Sequence, residues 1–470
     1  MYEPTSEAAG HPPAQPRDPV AAALGNASLL GLGYLLLGRR LLAAVNLAVT
    51  VVLVVVLTTV APFLWFEVLV LGWWALVVTH GWFLARGDGA NVGRQRMIAL
   101  SVTVVVFVVV GLLRFDAGRI DDTIADARAE GDCGKATDAL DGRWFGHRVA
   151  NAPLVSGEQA TREACRRLRT ANGELAEALS GHFSKMAVAF AWFASVRQEL
   201  PGHEAMAAAA LGGFLHRLPT PDACTTSEIV DWLSEHASAG PVPERSAATV
   251  ARTAPAAFLG CGDRMMAAKD WATARTRYQQ LVDGYPADSR VAKAKEGVTK
   301  ATQALELANV RGLLEGSTGT APAYCDTPAP YSAAAPYGKG TNHALFYGND
   351  GFSGRFPADW RASDAAQAVL VVCLGEAEDG TPVQTCPYEN KSLPEFPTDV
   401  TFHKIAVPLK AYELRTGKLV VDTKVEVGGT SCPKVLHYRS YGSDLGPPPD
   451  TQVEASDADV RAAFAPIIQK

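Results

Sequence analysis

Leu41–Val60 reads LLAAVNLAVTVVLVVVLTTV, a stretch with no charged residue and a single amide, Asn46. A helix rises 1.5 Å per residue, so ~20 such residues cover the hydrocarbon core of a bilayer, and the chain is expected to cross a membrane here. Two similar runs follow, Phe63–Leu84 and Met97–Leu113. Trp65 and Trp82 stand near the two ends of the second run, where amphipathic rings favour the headgroup layers. Arg39 and Arg40 precede the first run, and Arg86, Arg94 and Arg96 outnumber Asp88 between the second and third, whereas Thr58–Pro62 carries no charge. Positive residues are retained in the cytoplasm, so this asymmetry predicts that everything from Arg114 onward lies outside it.

Val20–Gly38 is apolar but interrupted by Gly25, Asn26, Ser28, Gly31 and Gly33. It reads as a re-entrant or interfacial helix, completing a membrane block over 20–114 with spans at 41–60, 63–84 and 97–113. If 20–38 does span, only the side of the N-terminus changes. Its Gly31-Leu-Gly33-Tyr34 to Arg39 stretch resembles the glycine and tyrosine hairpin of small two-span membrane modules. Residues 1–19, with five prolines among small polar residues, lack the apolar content to order themselves and are expected to be a disordered tail. No cleavable signal peptide is apparent, so the first span is expected to serve as an uncleaved export signal. Glu67 and His80, the ionisable groups within the runs, lie near span ends, from which side chains reach the interface.

All eight cysteines, Cys133, Cys165, Cys224, Cys261, Cys325, Cys373, Cys386 and Cys432, follow the last apolar run. An even set confined to one part of a chain points to an oxidising compartment. The expected location is therefore the cell membrane, multi-pass, with the C-terminal part extracytoplasmic. The formal net charge of -6 offers no basic face to neutralise phosphates, which argues against nucleic acid as a partner.

From Ile120 to Gly316 apolar residues recur at helical spacing between short turns such as Leu200-Pro201-Gly202. Shifting the chain by 85 residues lays Met186, Ala189, Phe193, Val196, Leu200 and Pro201 onto Trp271, Ala274, Tyr278, Leu281, Tyr285 and Pro286. Small residues at Ala189 and Ala274 would let antiparallel helices approach, the ring one turn later would fill the groove, and the proline would end the helix. Lys269-Asp270-Trp271 with Ala274, Tyr278, Leu281 and Pro286 resembles the second half of a tetratricopeptide repeat of bacterial envelope proteins. Gly131-Asp132-Cys133 with Ala136 and Leu140 is similar to a further, partial start. The resemblance implies a helical-hairpin domain over 120–316 with a concave face for a protein or peptide. The alternative is an alanine-rich spacer.

Residues 317–339 are rich in Gly, Ser, Pro and Ala and read as a linker to a C-terminal domain over 340–470. Ala368–Cys373, Thr401–Leu414 and Lys418–Val427 read as strands, the last two joined at Arg415-Thr-Gly417, and Asp459–Ile468 as a closing helix. This is an α+β domain with an antiparallel sheet. Asp379-Gly380 favours a two-residue hairpin turn, which would set Cys373 opposite Cys386 at a non-hydrogen-bonded pair. Cys325 with Cys432 then follows by elimination, while Cys224 with Cys261 and Cys133 with Cys165 would staple helical hairpins. The Cys-Pro-Tyr at Cys386, Tyr412 to Lys418, and Ser431-Cys432-Pro433 resemble β domains of uncharacterised secreted actinobacterial proteins.

No histidine pair has zinc spacing, no Cys-x-x-Cys is present, and no phosphate-cradling Gly-Lys-Ser/Thr loop occurs, so no cofactor or metal is expected. Ser431-Cys432-Pro433-Lys434 has the Ser-x-x-Lys spacing, but that chemistry needs a helical turn and Pro433 argues for a loop. No residue stands out as catalytic. The expected role is a membrane-anchored envelope protein that binds or scaffolds a protein or peptide partner. The alternatives are an extracytoplasmic enzyme acting on envelope material, or an accessory subunit of a transport or assembly system.

Overall fold

The computed structural model describes residues 18–59, 64–86, 93–144, 146–147, 156–236, 243–316, 321–390, 393–439 and 446–470. The expected tail thus lies outside the described residues up to position 17, as do the Ala61–Pro62 part of the first loop and Asp88. The chain forms two compact units, Met1–Thr253 and Ala254–Lys470.

In the first unit, α1 (Pro19–Ala27) and α2 (Leu32–Leu36) form a short helical hairpin, followed by α3 (Arg40–Thr59), α4 (Leu64–Ala85) and α5 (Gly93–Glu130). The last three are long and apolar enough to cross a membrane. Neither α1 nor α2 is, since nine helical residues span only ~14 Å. The chain reverses between them through Leu29 and Gly31, both at positive φ.

Polar side chains hold this hairpin. Asp18 caps α1 by accepting from the Val20 and Ala21 amides, and its other oxygen meets Arg96 Nε at 2.7 Å. Asn26, fully buried, donates to the Val77 carbonyl and accepts from the Tyr34 amide. Gly33 sits so close to the Ala22 carbonyl and Asn26 that no side chain fits there. The two ionisable groups of the spans are both engaged, Glu67 with Arg114 at 3.2 Å and His80 Nδ1 with the Tyr34 hydroxyl at 2.8 Å.

The third apolar run does not stop at Leu113. It continues as one 38-residue helix to Glu130, because Arg114–Glu130 has no proline to break the ladder and its Ala, Arg and Ile residues carry the helix through Gly118 and the four aspartates. Helices α6 (Cys133–Asp141), α7 (Ser156–Leu179), α8 (Ser184–Glu199), α9 (Glu204–Leu215) and α10 (Ala223–Glu235) follow, and α11 (Pro243–Ala267) runs into the second unit. Arg143, almost fully buried, pairs with Asp121 of α5 and Glu158 of α7.

The second unit continues with α12 (Trp271–Gly284) and α13 (Val291–Glu315), then a six-stranded sheet of β1 (Ala344–Gly348), β2 (Leu370–Leu374), β3 (Glu378–Asn390), β4 (Leu393–Glu413), β5 (Lys418–Val427) and β6 (Asp450–Gln452). Helix α14 (Asp350–Ser353) lies in the β1–β2 crossover, and α15 (Asp457–Ile468) closes the chain behind a Ser456/Asp459 capping box. Strand β4 is the spine. One edge takes β3 and then β2, the other takes β5 and β6.

The β4–β5 hairpin around Gly417 is present as expected. The sheet is mixed rather than antiparallel, because β1 runs parallel to β2 and β6 parallel to β4. A crossover through α14 and two 3-10 turns makes the first of these possible.

Two apolar layers sandwich the sheet. Phe464, Val460, Phe356 and Trp360 cover the face that bears Leu370 and Val372. Val310 of α13 and Tyr324 cover the face that bears Val371 and Leu414. Alternation along β2 sends successive side chains to opposite layers.

From residue 321 onward, the segment expected to be a linker is therefore part of the core. Tyr324 has 0% of its surface exposed, its hydroxyl donates to the Ala329 carbonyl, and Ala329 and Ala334 are buried beside it. Proline and glycine content marked a strap lying on the sheet, not a free tether.

Candidate functional site

Every cysteine is disulfide-bonded, Cys224 and Cys261 included. Cys133 and Cys165 join α6 to α7 across a Cα separation of 5.4 Å. In the sheet domain the bonds are Cys325–Cys373 and Cys386–Cys432, with Cα separations of 6.0 and 5.9 Å. These replace the expected pairs Cys373–Cys386 and Cys325–Cys432. The expected turn at Asp379-Gly380 does not form, because β3 runs through it paired with β4, from Glu378 opposite Ala406 to Asn390 opposite Leu393. Cys373 and Cys386 then face Lys410 and Val400, ten residues apart on β4, or about 33 Å at strand rise.

The residues singled out for repeat packing fall as follows. Ala189, Phe193, Ala274 and Tyr278 are buried, Trp271 is half-buried, and Pro201 and Pro286 are exposed just past the ends of α8 and α12. Those ends match in geometry. Leu200 (φ -128, ψ 66) donates back to the Val196 carbonyl, and Tyr285 (φ -135, ψ 55) to that of Leu281. The correspondence fades in the following helices, where Ala207 is buried but Ala292 exposed.

The turns before α6 and α12 also match. Gly131 and Lys269 both adopt positive φ, and the Asp132 and Asp270 amides return to the Ala127 and Met265 carbonyls. Each aspartate then caps the next helix.

The helical part of the first unit carries an open cleft of about 620 Å³ on α7 and α9. Cys165, Leu168, Asn172 and Leu175 recur at helical spacing along α7, as do Met206, Ala209, Ala210 and Gly213 along α9, with Arg217 in the turn after it. The floor is apolar, made by Leu168, Leu175, Met206 and Phe214 together with the Cys133–Cys165 disulfide. Small residues on α9 leave the space open. Gly131 is in contact with Ala205 and Ala209, which fixes the α5–α6 turn against α9.

The polar rim of this cleft is Arg169, Asn172 and Arg217, and among the described residues no aspartate or glutamate lines it. None of these three side chains has a hydrogen-bond or ion-pair partner among the described residues. Their neighbours do. Glu163 takes both Arg166 and Arg167, whose hydrogen bonds hold its carboxyl down at about 2, and Arg162 pairs with Asp141. Sequence reading passed over the rim. The signal was Ala209, Ala210 and Gly213 at helical spacing and ending in an arginine.

A second open cleft, of about 860 Å³, lies in the sheet domain beside the Cys386–Cys432 disulfide and is lined by Pro433–Tyr438 and Glu389. Ser431 to Lys434 is non-helical, and the Ser431 hydroxyl bonds the Gln384 side-chain carbonyl. Among the described residues no three of His, Cys, Asp or Glu converge as a metal-binding group. No protein-family model, curated protein or solved structure matches the chain.

Proposed function

We propose that this chain is a membrane-anchored cell-envelope protein whose soluble part, held outside the cytoplasm, binds or scaffolds a protein or peptide partner. The observation that carries the reading is the form of the α7–α9 cleft. It is open, with an apolar floor on two helix faces and polar groups only at its rim. A groove of that kind suits a chain segment better than a small reactant, which calls for a concave site with convergent polar groups. The helical hairpins are tetratricopeptide-like on this reading, and the β-rich domain adds a second contact surface.

Placement outside the cytoplasm is supported by the disulfides and by the arginines that flank the apolar helices. Photo-crosslinking from Ala209 in native membranes, with identification of the adducts, tests the proposal. A discrete adduct with an extracytoplasmic protein is expected. No adduct, together with turnover of cell-wall fragments by the purified chain, would replace binding by catalysis.

A further inference from the structure

Two helix faces that could each have packed against a neighbour instead leave a trough between them, and the cations at its rim are unpaired. Other surface arginines, Arg119, Arg252 and Arg275 among them, are likewise unpaired among the described residues, but those nearest the rim on α7 and several elsewhere are consumed locally. Arg162, Arg166, Arg167, Arg290 and Arg311 each hold a carboxylate. Arg169 lies two residues beyond Arg167 on α7, and Arg217 lies beyond α9, and neither has a carboxylate partner among the described residues. Glu130, Asp132 and Glu174, the acids adjacent in sequence to lining residues, are already engaged, by the Lys135 ammonium, the Lys135 backbone amide and Lys185 in turn.

The floor complements this charge with shape. Ala209 and Gly213 are one turn apart and exposed, so the backbone of an added segment can approach α9 closely. Met206 beneath them supplies a flexible thioether that adapts to different apolar side chains. Arginine binds carboxylates in a bidentate fork, and Asn172 beside Arg169 adds an amide donor.

We infer that the α7–α9 cleft is the docking groove for an acidic amphipathic segment of the partner protein, with carboxylates at Arg169 and Arg217 and small apolar side chains over Ala209 and Gly213. This rests on the reading of the helical part as a peptide-binding surface and names the partner's chemistry.

The test uses the full chain in lipid nanodiscs and three fluorescein-labelled amphipathic peptides identical except for two polar positions, occupied by Glu, Gln or Lys. Anisotropy should show the Glu peptide binding about tenfold or more tighter than the Gln peptide, with the difference shrinking as salt rises. In the Arg169→Glu, Arg217→Glu double variant the preference should invert toward the Lys peptide. Both side chains are exposed, and formation of the Cys133–Cys165 bond reports that the variant has folded. Equal binding of Glu and Gln peptides to the wild-type chain overturns the inference whether or not the variant folds. So does a preference that charge reversal leaves unchanged. A change in oligomeric state on charge reversal, without peptide discrimination, would assign the groove to a second copy and also overturns it.

A photoreactive residue at Ala209 and another at exposed Val188 on α8 separate the two levels of the proposal. Glu-peptide labelling from Val188 alone sinks the groove but leaves peptide binding standing. Labelling from neither position sinks both.

Discussion

The ring of Tyr278 occupies the space that a side chain at Gly297 would need, since a Cβ built there would stand 2.6 Å from Cε2. Gly262 meets the other edge of the same ring, so an aromatic on α12 is clasped by glycines of α11 and α13. The hydroxyl is tied down as well, donating to Asp263 Oδ1 at 2.7 Å while Lys293 holds the other oxygen. Gly297→Ala should therefore destabilise the chain by about 1–3 kcal/mol through overpacking, against a helix-propensity gain of at most ~1 kcal/mol. Chemical denaturation of the wild-type and variant chains in detergent measures it, and an unchanged midpoint would show that the ring can move aside.

Lys269 adopts φ 62 where Gly131 adopts φ 80 in the matching turn. A side chain in that region costs about 1 kcal/mol, so Lys269→Gly should raise the unfolding free energy by about 0.5–1 kcal/mol, read as a higher denaturation midpoint with no change in m. Gly131→Ala should do the opposite and more strongly, because its Cβ would also meet Ala209.

Peptide mapping under non-reducing conditions should recover Cys325 linked to Cys373 and Cys386 linked to Cys432. The sequence separations of 48 and 46 are long enough that losing either bond should cost roughly 2–4 kcal/mol. Recovery of a Cys373–Cys386 peptide would restore the hairpin that the β3–β4 register excludes.

Burial, with a smaller contribution from Tyr412, pushes the Tyr324 hydroxyl up to about 12 from an ordinary value of 10.0. The unfolded chain loses this proton first as pH rises, so the stabilisation is complete below pH 10 and declines between 10 and about 12. Tyr278 is raised too, chiefly by burial and then by Asp263, and acts in the same direction. Thermal melts across that range should show the decline, and Tyr324→Phe should flatten part of it. The same variant should cost about 1 kcal/mol at neutral pH for the lost bond to Ala329.

Parts of this architecture can be read from residue order alone, and the reason is local. The uncharged run that begins at Leu41 needs no partner to declare a helix long and apolar enough to cross a membrane, and Arg415-Thr-Gly417 turns between two strands that are neighbours in sequence. Elements fixed by distant contacts were misread. Asp379-Gly380 favours a tight turn, yet pairing with the long β4 outweighs that preference over two residues, and the cysteine partners change with it. Tyr324 looked like part of a linker because the apolar layer it fills is supplied by Val310 and Leu414, the latter 90 residues further along the chain. The cleft eluded sequence reading for a related reason, since Leu168 and Leu175 of α7 and Met206 and Phe214 of α9 make one floor only where the two helices meet.

Helix α5 has no break between Gly93 and Glu130, so its 38 residues form a rod of ~57 Å with one end among apolar helices and the other against α9. A rod without a hinge acts as a lever. A tilt of about 10°, well inside the range that lipid thickness imposes on membrane helices, carries its tip sideways by ~10 Å. Were its apolar part to lie in a bilayer, tilt there would shift the end that meets α9, and a glycine pair placed near Gly118 would uncouple the two.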